Sequence, residues 1–210
     1  MKKTAPLLVA AFAAVLLLGI VAGVVFQKGK KQQEETAVLD AVADSSRLLR
    51  AALGPDAPAD AAARIDAHLA TIKAAARTPL TEAAEDYVLG AREIARRQAA
   101  LPPLEQQWEA ARQAIRSHLA AGGRRNTAWF QTAGTLKKRM EEAHFQLSVE
   151  LGALDKLLDG MPESVKTATP LAGEARVVDL KLFYDARRRV QDRMKSSGEE
   201  LERARQIPTG

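Results

Sequence analysis

Three histidines, His68, His118 and His144, are the side chains best suited to metal or proton-transfer chemistry in this chain. No cysteine accompanies them, which removes thiolate metal sites, disulfides and cysteine nucleophiles. None of the three sits in an H-E-x-x-H zinc pattern. Glu141-Glu142-Ala143-His144 holds one Glu-x-x-His. A di-iron bundle takes two such elements on different helices, plus a Glu from each of two more helices. No second Glu-x-x-His exists, so neither a metal nor another cofactor is expected. Nucleophile-elbow, P-loop and G-x-G-x-x-G patterns are also missing. Gly122-Gly123-Arg124-Arg125 reads as a helix stop and a polar turn. Arg187, Arg188 and Arg189 point in different directions on a helix and read as a solvated face. The sequence therefore predicts a protein that is not an enzyme.

The element that dominates the chain is an uncharged run of twenty-one residues, Pro6 to Phe26. As a helix it spans roughly 31 Å, about the hydrocarbon thickness of a bilayer. Lys2 and Lys3 precede it, and Lys28, Lys30 and Lys31 follow it. The run is longer than the apolar core of about 7–15 residues in a cleaved signal peptide, so an uncleaved anchor is expected. The expected boundaries are a basic tail over 1–5, a transmembrane helix over 6–26, a basic juxtamembrane linker over 27–33 and a helical bundle over 34–210. Long domains translocate largely regardless of charge. The expected placement is a bacterial inner membrane, with the amino terminus cytoplasmic and the bundle periplasmic. Gly19 and Gly23 form a G-x-x-x-G element that would let a second membrane helix approach closely.

Net charge says little about nucleic acid here. The formal +5 comes from the five lysines flanking the run; the remainder balances 26 basic against 26 acidic side chains. That basic excess sits where anionic lipid head groups would be. Sequence-independent nucleic-acid binding calls for a basic face with stacking aromatics, and aromatics are 4% of the chain. Charge is still uneven: residues 92–139 carry ten basic and three acidic side chains, and residues 140–185 carry nine acidic and four basic. Two antiparallel helical segments with complementary surfaces would account for it.

Beyond the run, apolar residues recur at spacings of three and four, which predicts helix throughout. The first helix covers about Glu34 to Leu53 and can continue from the membrane helix. The second covers Asp60 to Ala76. Thr78-Pro79 opens the third, and Leu101-Pro102-Pro103 ends it. The fourth carries Leu104, Trp108, Ala111, Ile115 and Leu119. The fifth starts at Asn126 or Thr127, repeats apolar residues through Leu158, and stops at Gly160-Met161-Pro162. A loop over 163–173 leads to a last helix over 174–206. The fold class is all-α: a single amino-terminal transmembrane helix, then an antiparallel bundle of about five to six helices.

Trp108 and Trp129 are the expected packing or interface anchors. Lys137 and His144 interrupt the stripe of the fifth helix and are candidates for partner register. The expected partners are the membrane and a second protein or a second copy of the chain. Contact with that protein, as a scaffold or accessory subunit of an envelope complex, is the first functional expectation. The second is a ligand-sensing bundle laid out like a chemoreceptor sensory domain. That layout returns through a second membrane helix, and no second apolar run follows here.

Overall fold

The computed structural model describes residues 5–54, 57–122 and 125–208, with side chains from Gln27 onward. It contains five α-helices and no strand among the described residues. They are α1 (Ala5–Ala52), α2 (Ala61–Ala74), α3 (Pro79–Ala120), α4 (Thr127–Ala172) and α5 (Leu180–Arg205). A single 3-10 turn, Glu174–Arg176, joins α4 to α5.

Residues 27–33, expected as a basic linker that the first helix can cross, are helical: α1 passes through them without a break. Lys30 with Glu34, and Lys31 with Glu35, form i,i+4 pairs at 3.9 Å that suit a helix there. The expected third and fourth helices are one, because α3 continues through Pro102 and Pro103. Both prolines are exposed, while Leu101, Trp108 and Ile115, each seven residues on, stay buried in one phase. The prolines leave the carbonyls of Gln98 and Ala99 without helical donors, a cost of roughly 3 kcal/mol or more per interior proline. Uninterrupted burial on both sides outweighs it. Likewise α4 does not stop at Pro162, and 163–172 is helix rather than loop. Met161, Val165, Ala168 and Ala172 carry the buried stripe onward, and α4 ends only at Gly173, whose φ of +91° suits glycine. The last helix begins at Leu180, not at Glu174. Asp179 caps it by accepting from the Lys181 N–H at 2.9 Å.

Two other starts match the sequence signals. Thr78 and Thr81 form a reciprocal capping box ahead of α3. The Asn126 side chain accepts from the Trp129 N–H and opens α4.

Cross-chain pairs fix the register. Arg92 on Asp66 and Lys73 by Glu85 set α2 antiparallel to α3. Ser46 beside Tyr87, with Val38 and Thr81 lining one groove, sets α1 parallel to α3. The α3–α4 hairpin is held by His118 stacked on Trp129, Trp108 against His144, and Arg97 bonded to Glu150. α5 is antiparallel to α4, through Arg187 on Asp155 and Arg205 on Glu141. It is parallel to the second half of α3, through Arg193 on Glu105 and Arg112 on Glu200. The hairpin is therefore a shared spine: α1 and α2 pack its first half and α5 its second. Pro102 lies where one set of neighbours gives way to the other, in a cleft of about 550 Å³ lined by Leu53, Leu101, Pro102, Ala186 and Val190.

The two helices of the spine approach closely at Gly90. A Cβ there would lie 2.3 Å from the Met161 sulfur. Alanine gains up to about 1 kcal/mol of helix propensity over glycine, which offsets part of the clash. Valine does not fit. Gly90→Val is expected to lower stability by about 1–3 kcal/mol, and Met161→Ala in the same chain to recover part of it, read by urea unfolding.

Candidate interaction surfaces

The side chains singled out in the sequence fall into three places. Lys28, Lys30 and Lys31 are exposed on α1 just past the apolar run. Lys2 and Lys3 lie outside the described residues. Gly19 and Gly23 lie on the stretch of α1 whose surroundings are likewise outside them. Among the described residues no helix is long and apolar enough to cross a membrane; the side chains of the run Pro6–Phe26 lie outside the described ones.

The other four make contacts within the bundle. Trp108 is 8% exposed and meets the His144 ring edge-on at 5.5 Å. Lys137 donates to the Arg205 carbonyl at 2.9 Å, neutralising an orphan acceptor at the end of α5. Arg205 in turn reaches Glu141 at 3.5 Å. Glu141 thus faces an arginine. No group of three or more His, Asp or Glu side chains gathers at metal-binding range among the described residues. Trp129 stacks on His118 at 4.8 Å, meets Phe130 edge-on at 5.2 Å, and lies under Arg125 at 5.5 Å. Trp129 and His118 thereby lock the tip of the α3–α4 hairpin. Lys137, His144 and Trp108 set the register of α4 against its own neighbours.

Burial holds the His144 pKa below its usual value, and the nearby Arg205 charge lowers it further. The unfolded chain then binds the proton more readily, so stability falls as pH drops through the unfolded value near 6.5. His144→Gln is expected to flatten the melting-temperature profile between pH 7 and pH 5. Glu93 behaves in the opposite sense to a strained carboxylate: the Arg96 hydrogen bond, with Arg97 behind it, pulls its pKa down to about 2. That contribution is present above the unfolded carboxylate value and is lost as pH falls toward 2.

The uneven charge of α3 and α4 is largely consumed inside the molecule. Arg97 bonds Glu150 at 2.7 Å directly across the hairpin. The other links run through α5. Its Glu200 takes Arg112 at 2.8 Å and Arg116 at 3.4 Å, and its Arg187 takes Asp155 at 3.0 Å and also Asp159. α5 therefore carries both signs and bridges a basic helix to an acidic one.

Two features escape the sequence reading. One is a buried polar cluster. Tyr87 OH accepts the Val178 N–H at 3.1 Å and lies 2.8 Å from Ser46 Oγ, which donates to the Arg176 carbonyl at 2.6 Å. It ties the turn after α4 to α1 and α3, and burial raises the Tyr87 pKa. The other is exposed apolar surface: Phe145 is 68% exposed and Val149 51%, one turn apart on α4. A wider concavity of about 940 Å³, lined by Arg50, Lys166, Thr169, Glu174 and Asp179 among others, opens beside the 3-10 turn.

No protein family, no curated protein and no solved structure matches this chain.

Proposed function

We propose that the chain is a single-pass membrane protein whose helical bundle works by protein–protein contact, as a scaffold or accessory subunit of a bacterial envelope complex, without a catalytic step. The observation that carries this reading is the continuity of α1. The helix that contains the apolar run Pro6–Phe26 also supplies Val38, Val42 and Leu49 to the bundle core. Anchor and domain are then one mechanical piece. The flanking lysines fit the head-group layer, and Gly19 and Gly23 offer a close-packing face within the membrane. In this reading the amino terminus is cytoplasmic and the bundle periplasmic.

Carbonate extraction and protease protection of cells expressing the full chain test it. The protein is expected in the carbonate-resistant membrane fraction, with the bundle cleaved only after the outer envelope is opened. A bundle protected inside intact spheroplasts overturns the orientation, and release by carbonate overturns the anchor.

The ligand-sensing reading has one observation in its favour, the 940 Å³ concavity with charged and apolar walls. A small molecule retained through purification and lost on Arg50→Glu would favour it over the scaffold.

A further inference from the structure

The buried stripe of α4 runs through Met140, Leu147, Leu151, Leu154 and Leu158. A second stripe lies opposite it. At 3.6 residues per turn, Glu142, Phe145, Val149, Gly152 and Lys156 share one face about 80° wide, on the far side of the helix from the core. Their spacing is three, four, three, four, which is the seam of a two-helix coiled coil. Nothing in the bundle covers Phe145 or Val149. Gly152 has no atom within 4 Å of where a Cβ would stand, so the seam contains an open notch.

The charges say what fits. Glu142 and Lys156 are exposed and stand outside any ion pair among the described residues. Their neighbours Glu141 and Glu150 are taken by Arg205 and Arg97. Glu142 and Lys156 also stand seven residues to either side of Val149. We propose that α4 pairs with α4 of a second copy of this chain, antiparallel and two-fold about Val149. In that arrangement Glu142 meets Lys156 of the partner copy, twice. Each Phe145 enters the notch at Gly152 of the other copy, and the two valines meet on the axis. A parallel pair would stack Glu142 on Glu142 and Lys156 on Lys156, which is repulsive. The interface is isologous, so it closes at two copies. Two phenylalanines, each 68% exposed in the single chain, supply most of its apolar area. That places the contact at the small end of specific interfaces, weak and reversible. This contact goes beyond the reading above: it rests on the exposed face of α4 and not on the membrane anchor.

The chain has no cysteine, so a single introduced one reports cleanly. Full-length chain in detergent carrying Val149→Cys is expected to form a disulfide-linked dimer under mild oxidation. Tyr184→Cys, exposed on α5, is expected to stay monomeric. In the Val149→Cys background, Lys156→Glu and Glu142→Lys are each expected to reduce cross-linking about ten-fold, a change worth one decade in the pairing constant. Mixing these two variants restores it, because every contact again joins opposite charges. A Val149→Cys chain that stays monomeric overturns the proposal, even if another protein is found on the same face. So does cross-linking that both charge reversals leave unchanged, or a mixture that fails to recover. All substituted side chains are exposed, and circular dichroism checks that each variant keeps its helices.

Discussion

Phe183→Ala is expected to destabilise the protein by about 3–5 kcal/mol, and to do so unevenly. Phe183 is fully buried in the first turn of α5. The rest of that helix buries mainly small or short side chains: Ala186, Val190, Ser197, Leu201 and Ala204. Most of its other links are arginine–carboxylate pairs to α3 and α4, which are partly exposed and individually weak. One aromatic ring therefore supplies an outsized share of what holds α5 to the spine. Its loss should release α5 before α1, α2 and the first half of the hairpin unfold. Urea titration followed by tryptophan fluorescence reports the second half, where both Trp108 and Trp129 lie, and circular dichroism reports the whole. The two curves are expected to coincide in the parent and to separate in Phe183→Ala. Coincident curves in the variant would show that α5 is not a separable unit.

Tyr87→Phe is expected to cost about 2–3 kcal/mol although it removes a single oxygen atom. The hydroxyl accepts the buried Val178 N–H and contacts Ser46. A buried donor without its acceptor costs about 1–3 kcal/mol, more than the net value of an ordinary hydrogen bond. The same change deprives Ser46 of its partner, although Ser46 keeps the Arg176 carbonyl. Ser46→Ala removes the other side of the cluster, and the two substitutions together should cost less than their sum, because they share partners. Hydrogen exchange gives the local readout: the Val178 amide should exchange much faster in Tyr87→Phe, while amides in α3 near Ile94 keep their protection. An unchanged Val178 amide would mean that Val177 and Val178 are held by apolar packing alone.

Much of this fold is legible in spacing. The stripes Val38–Val42–Leu49–Leu53 and Ile65–Leu69–Ile72 are buried as their periodicity predicts. Thr78-Pro79 and Asn126 open helices as their chemistry suggests. The helix ends at Pro102 and Pro162 are misread for one reason. Proline is weighed locally as a breaker, while the buried stripe stays in phase across it and carries more energy than the lost hydrogen bond. Leu101, Trp108 and Ile115, and likewise Leu158, Met161 and Val165, are the residues that could have signalled this. The Tyr87 cluster is a different case. Ser46, Tyr87 and Val178 are far apart in the chain, and nothing local to any of them marks a shared partner. The face at Phe145 and Val149 is visible as a second three-four pattern, but the stronger Leu-rich stripe on the same helix masks it. Lys137 and His144 attract notice as polar breaks in that stripe, and the break is filled from within, by the end of α5 and by Trp108.

Because α1 is one helix from Ala5 to Ala52, the bundle cannot swing independently of whatever holds the first half of that helix. Val38 lines a groove with Thr81, and Arg97 lies beside Glu150. Counting along α1 and α3 at 1.5 Å per residue puts Val149 roughly 40 Å from Phe26 on the long axis. α4 runs back toward that same end, so an antiparallel pair of α4 helices points the two amino-terminal runs away from each other. With both runs in lipid, neighbours standing in one bilayer cannot form the pair. The α4 pair is then confined to chains whose runs do not share a bilayer, and cross-linking at Val149 should be seen in detergent and lost in intact membranes.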